Sequence, residues 1–272
     1  MRAGSPPRSP SGNAPPRVHR LTLAYLGTPF LGWQRQAHGP TVQQTVESAL
    51  ASIWGQPITL HGSGRTDTGV HARAQIAHFT APPRLPPPVL LPALNHHLPP
   101  EIRVLRASYA PQTFHSRFSA IAKEYRYELA FGPTQSPFRL GLEWFLPRPP
   151  DLRLLTAALN IFTGTHDFAA FTSNPGYARA STTRTLHLCQ LRPRPHAVTL
   201  IFVGDGFLYR MVRNLVGAAI KVARGRLTPE QLAAILASRN RSQAPASAPA
   251  CGLYLHRVFY DSASLQRRLG RT

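Results

Sequence analysis

Acidic residues are scarce in this 272-residue chain. Eleven Asp and Glu stand against 31 Lys and Arg, a formal net charge of +20. Solvated surfaces usually interleave both signs, so this imbalance points to a polyanionic partner. Lysine is almost missing as well. Only Lys123 and Lys221 carry an ammonium, and the other 29 cations are arginines. Arginine suits phosphate by bidentate donation and bases by stacking; a coding bias toward arginine would give the same ratio. No apolar run reaches 18 residues, which excludes a membrane-spanning helix. The two cysteines, Cys189 and Cys251, have no metal-ligand spacing. They read as buried small side chains in a reducing, cytoplasmic compartment. Zinc motifs, Walker loops and dinucleotide fingerprints are absent, so no metal and no cofactor is expected. Twelve histidines are scattered, and His96-His97, beside prolines, reads as surface loop.

The shortage of carboxylates makes each one readable. Asp151 precedes Leu152, Leu155, Leu159 and Phe162 and reads as a helix N-cap. Glu230 falls in the first turn after Thr228-Pro229. Asp205 lies in a Gly-Asp-Gly turn, Glu47 on the outer face of an early helix, Glu124 and Glu128 on one face of a strand, and Asp261 in the tail. Asp67 is different. It sits in Gly62-Ser63-Gly64-Arg65-Thr66-Asp67-Thr68-Gly69-Val70-His71-Ala72-Arg73, between the strand-like runs 57–61 and 74–80. A Gly-rich turn at a strand end lifts a side chain toward a cleft, and flanking arginines favour its charged form. Taken alone, the turn reads as a tight hairpin with a salt-bridged Asp.

The chain divides after a tail. Residues 1–17 hold five prolines and three arginines, almost without apolar bulk, and are expected to be disordered. No apolar h-region follows, so they are no signal peptide. Leu21, Leu23 and Tyr25 alternate as a strand, and Thr41-Val42-Gln43-Gln44 opens a helix that Gly55 closes. A short helix is expected around 89–94, and strands over 102–107 and 125–131. Beyond a Gly- and Pro-rich link at 132–150, helices are expected over 152–162, 207–222 and 228–238, and strands over 185–191, 197–203 and 253–260. The expected architecture is α+β: two related subdomains, 18–131 and 151–262, with mixed, mainly antiparallel sheets flanked by helices. An active-site cleft lies between them, and 263–272 forms a basic tail.

The residues resemble one family throughout. Gly64-Arg65-Thr66-Asp67-Thr68-Gly69-Val70-His71 is similar to the catalytic signature of the tRNA pseudouridine synthase A family. Further likenesses follow in order: Tyr25 with Gly32-Trp33-Gln34-Arg35-Gln36, Val42-Gln43, the segment 93–99, and Phe114-His115-Ser116-Arg117-Phe118. They continue through Lys123-Glu124-Tyr125-Arg126-Tyr127, Asp167-Phe168, Arg184-Thr185, the segment 207–217, and Gly252-Leu253-Tyr254-Leu255. Together they span about residues 18 to 260. Leu26 departs from the pattern, because the family usually has Asp there.

The resemblance implies the pseudouridine synthase fold and an isomerase that needs no cofactor. Its substrate would be uridine at positions 38, 39 and 40 of the tRNA anticodon stem-loop, and its expected state a homodimer. It implies Asp67 as nucleophile, Arg213 as the cation that keeps Asp67 ionised, and Tyr125 as the ring stacked on the base and a candidate proton acceptor. It further implies that Leu253 packs on the base and that Arg65 helps extrude the target nucleotide. Arg73 and Arg117 are expected at phosphates. A non-catalytic basic RNA-binding protein is the alternative. Phe30 and Trp33 fit either a dimer surface or the core.

Overall fold

A computed structural model describes residues 15–173 and 181–270. Most of the tail expected to be disordered, up to residue 14, lies outside them. The first half runs β1 (Arg17–Tyr25), α1 (Val42–Trp54), β2 (His61–Gly62), β3 (His71–Ala81), α2 (Pro87–His97), β4 (Ile102–Ala110) and β5 (Ala122–Phe131). The second runs β6 (Trp144–Leu146), α3 (Leu152–Phe162), β7 (Gly164–Asp167), β8 (Thr183–Arg194), β9 (Ala197–Gly204), α4 (Met211–Ala223), α5 (Pro229–Ser238), β10 (Leu253–Phe259) and α6 (Ser262–Leu269). The protein is α+β.

One mixed sheet carries the molecule, in the order β4-β1-β3-β10-β5-β9-β8-β7, with β2 on β3 and β6 on β5. Among the described residues only β10/β3 and β5/β6 pair in parallel. The last strand therefore lies at the centre. β10 is antiparallel to β5, with Leu255 opposite Tyr125, and parallel to β3, with Tyr254 opposite His71. Side chains alternate across a sheet. On β5, Tyr125, Tyr127 and Leu129 enter the main core, which also takes the buried faces of α1 to α5. On the other face, Leu265 of α6 packs with Ala122, Ile201, Val203 and Phe259. There Glu124, almost wholly buried, accepts from Arg126 at 2.7 Å and Arg268 at 2.6 Å. Of the segment expected as a basic tail, residues 263–269 thus belong to a docked helix.

Local signals placed most elements. Thr41 Oγ accepts from Gln44 N, and Gly55 ends α1 in the left-handed conformation. Asp151 caps α3, Thr228 and Gln231 form a full capping box, Asp205 accepts from Thr185 N at 3.1 Å, and Asp261 caps α6.

Several expectations change. The run 57–61 reaches the ladder only at its end, because Leu60 has other partners: its N–H donates to Glu47 Oε1 at 2.9 Å, and its carbonyl accepts from Gln43 Nε2 at 3.0 Å. Glu47 is consequently buried, not on an outer face. The expected helix over 207–222 starts only at Met211, since Arg210 takes a left-handed φ of 59° and Phe207 packs edge-on against Tyr125. His96 and His97 form the exposed last turn of α2 and are not loop. Cys189 is buried, Cys251 only partly. Phe30 and Trp33, 5% and 2% exposed, belong to the core.

Candidate active site

The turn between β2 and β3 delivers Asp67 to the middle of the sheet. Its Val70 N–H closes onto Asp67 O at 3.1 Å, and Trp33 N–H donates to Thr66 O at 3.0 Å. Tyr25 and Thr66 share a hydroxyl hydrogen bond of 2.9 Å. At the root of the turn, Gln75 Nε2 donates to Gly64 O at 2.7 Å and Lys123 Nζ to Ser63 O at 2.7 Å. Burial, followed by the nearby charge of Arg117, lowers the Lys123 pKa to about 8.

Arg213 arrives from the first turn of α4. Its Nη1 meets Asp67 Oδ2 at 3.1 Å, and the two side chains keep only 16% and 17% of their exposure. Its Nε donates to Ala248 O at 2.8 Å, while Ala248 N–H returns to Arg213 O at 2.9 Å. Beside it, buried Asn214 donates to Phe171 O and accepts from Arg241 and Ser247. The guanidinium is therefore aimed by the 244–248 segment as well as by its own helix. An ion pair screened from water interacts far more strongly than a surface pair.

Tyr125 forms the wall beside this pair. It is buried, edge-on to Phe207 at 4.9 Å between ring centroids. Burial above all, with the neighbouring Tyr25 and Asp67 acting in the same direction, pushes its phenol well above the usual range, so the hydroxyl stays neutral. Leu253, 5% exposed, lies opposite Tyr127 at the start of β10, two positions from the Leu255–Tyr125 pair.

Three arginines stand outside this cluster. Arg65 is exposed and has no ionic or hydrogen-bond partner among the described residues. Arg73 is exposed over the Tyr254 ring at 5.2 Å, and Arg117 over the Phe118 ring at 5.5 Å. Leu26 is 45% exposed, with its N–H donating to Glu101 O at 3.0 Å. The loop there is held by this backbone contact and by the neighbouring Gly27 N–H, which donates to the His71 ring.

Sequence reasoning missed the residues that hold the turn. His71 is wholly buried just after it. Gln75 and Lys123 grip its root. A lysine in a chain with only two is a compositional signal, but its target could not be read without the fold. Among the described residues no group of His, Cys, Asp and Glu is placed to hold a metal ion.

Comparison with known proteins identifies the family. The family profile described as tRNA pseudouridine synthase matches residues 22–119 and 158–261, covering strands of both halves. The tRNA pseudouridine synthase A of Methylacidiphilum infernorum is 47% identical over 242 residues, 89% of this chain and 95% of that protein. Those of Syntrophotalea carbinolica and Akkermansia muciniphila are 42% and 43% identical over 243 and 253 residues, each covering 89% of this chain and 96% and 94% of the relative. A likeness this long and this even leaves one assignment: the chain belongs to the tRNA pseudouridine synthase family, isomerases that modify tRNA.

Proposed function

We propose that this enzyme isomerises uridine to pseudouridine at positions 38, 39 and 40 of the tRNA anticodon stem-loop, with Asp67 as the nucleophile. The observation that carries the reading is the partly shielded Asp67–Arg213 ion pair at 3.1 Å beside the Tyr125 wall. The reaction breaks N1–C1′ and joins C5 to C1′; the C5 hydrogen leaves as a proton and N1 gains one. A carboxylate serves it by adding to C6 of the base or attacking C1′. Arg213 keeps Asp67 charged in a site where water is scarce. The Tyr125 ring stacks on the uracil, and its neutral hydroxyl relays the C5 proton.

The target base must leave its stack first, at a cost of a few kcal/mol. Arg65 helps extrude the nucleotide, a reading supported by its exposure on the same turn as Asp67. Arg73 and Arg117 take phosphates, where charge pairing supplies much of the affinity. Leu253 packs on the base. The net charge of +20 favours tRNA as partner, and no helix among the described residues is long and apolar enough to cross a membrane. The same reading makes the enzyme a cytoplasmic homodimer.

The test is tritium release from tRNA carrying [5-³H]uridine. Wild type should release the label. Asp67→Asn should release none while its tRNA affinity stays within ~1–2 kcal/mol, the scale of one lost contact. Turnover by Asp67→Asn would remove Asp67 from the nucleophile role.

A further inference from the structure

His71 is fully buried four residues after Asp67, and all its polar atoms are engaged. Nδ1 lies 3.0 Å from the backbone N–H of Gly27, so that nitrogen must accept. Nε2 lies 3.0 Å from Gly141 O and 3.1 Å from Cys251 O, so that nitrogen must carry the proton. One neutral tautomer satisfies all three contacts. Burial is the main influence lowering the His71 pKa, which keeps the ring neutral. The ring also stacks on Tyr254 at 4.6 Å. Tyr254 donates its hydroxyl to Leu142 O at 2.7 Å, and the Cys251 thiol reaches Glu143 O at 3.5 Å.

Four stretches of chain therefore meet at one imidazole: the end of the Asp67 turn, the loop after β1, the segment 141–143, and the entry to β10. The contact with the loop after β1 is tight. A Cβ on Gly27 would lie 2.1 Å from Val70 O, within the turn itself.

We infer that His71 is a positioning residue for Asp67, setting the height of the catalytic turn against the Arg213 guanidinium by tying the turn to three other backbone segments. This rests on the function proposed above, in which misplacing the nucleophile lowers the chemical step and spares binding. His71 itself touches no reacting atom.

Three variants separate its contacts. His71→Gln keeps a donor toward the Gly141 and Cys251 carbonyls, His71→Asn keeps an acceptor toward Gly27 N–H, and His71→Ala keeps neither. Each is assayed for tritium release well below its own melting temperature, with wild type alongside, and for amide exchange over residues 64–70. We expect kcat to fall about 100-fold in His71→Ala, as misplacement of about 1 Å does. The Gln and Asn variants should recover part of that loss, and KM should change less than about threefold in all three. Exchange over 64–70 should rise about tenfold in His71→Ala while β8 and β9 stay as protected as in wild type. A loss confined to KM, or a kcat equal to wild type in His71→Ala, overturns the inference. Unchanged protection of the turn also overturns it, whatever wild type catalyses. Absence of tritium release by wild type would strike the proposed function instead, leaving the exchange measurement to decide the role of His71.

Discussion

A single side chain in this site has a role only through what its neighbours do to it. Tyr125 shows this most clearly. Its ring is fixed by Phe207 and by its place between β10 and β9, and its hydroxyl is held neutral by burial. In the proposed function stacking needs the ring and proton relay needs the oxygen, so the two can be separated. Tyr125→Phe should bind tRNA like wild type yet release tritium about 100-fold more slowly, the usual contribution of a positioned proton-transfer group. Tyr125→Ala should in addition weaken tRNA binding by about 1–3 kcal/mol, the loss of one stacked base. Single-turnover release and filter binding measure the two effects. Undiminished release by Tyr125→Phe would leave the ring with stacking alone. The alternation of Tyr125 and Tyr127 was plain in the sequence, but by pattern alone both are core tyrosines. Only the resemblance told them apart; in the structure both enter the core, Tyr125 edge-on to Phe207 and Tyr127 with its hydroxyl donating to Pro249 O.

At the scale of elements, α4 matters because it aims Arg213, and the helix does so together with the segment packed along it. Gly217 marks the contact. Replacing a helix-interior glycine by alanine normally stabilises by about 1 kcal/mol. Here the added Cβ would lie 2.2 Å from Ala246 O, a backbone atom that cannot turn aside. The 244–248 segment would have to move, and with it the paired hydrogen bonds between Arg213 and Ala248. Gly217→Ala should therefore lower the melting temperature and reduce kcat by about tenfold or more, with tRNA affinity kept. A thermal melt and the tritium assay check both; a more stable and fully active variant would show that the segment has room to shift. The helix itself was legible from its apolar spacing. Its start was not, because a left-handed Arg210 and the packing of Phe207 on Tyr125 override local propensity.

The whole molecule carries its buried and half-buried histidines as a pH-dependent weakness. Burial lowers the pKa of His19, His78 and His256 to about 4, and those of His71 and His115 fall as well. In the unfolded chain these rings titrate near 6.5. Between pH 6.5 and about 4 the unfolded chain binds protons that the folded chain refuses, so stability falls as pH falls through this window and is complete above it. Lys123, lowered to about 8, acts with the same sign at the other end: stability gains as pH rises from about 8 toward 10.5. Urea midpoints should hold near neutrality and drop steeply between pH 6.5 and 4. His78→Gln should make that drop shallower. A midpoint flat across the acid window would mean that the rings reach water before the fold opens.

The sequence by itself determined the charge that draws a polyanion, the caps and apolar periods that set most helices and strands, and the turn that marks Asp67. These are local or additive properties, readable because a cap needs only its own turn and net charge needs no coordinates. The tertiary structure decided which distant groups meet. It put the last strand at the centre of the sheet, buried Glu47 on a neighbouring backbone, docked α6 through Glu124 and Arg268, and closed four segments around His71. Contacts between residues as far apart as Asp67 and Arg213 arise from strand order and packing, and neither leaves a periodic trace in the chain.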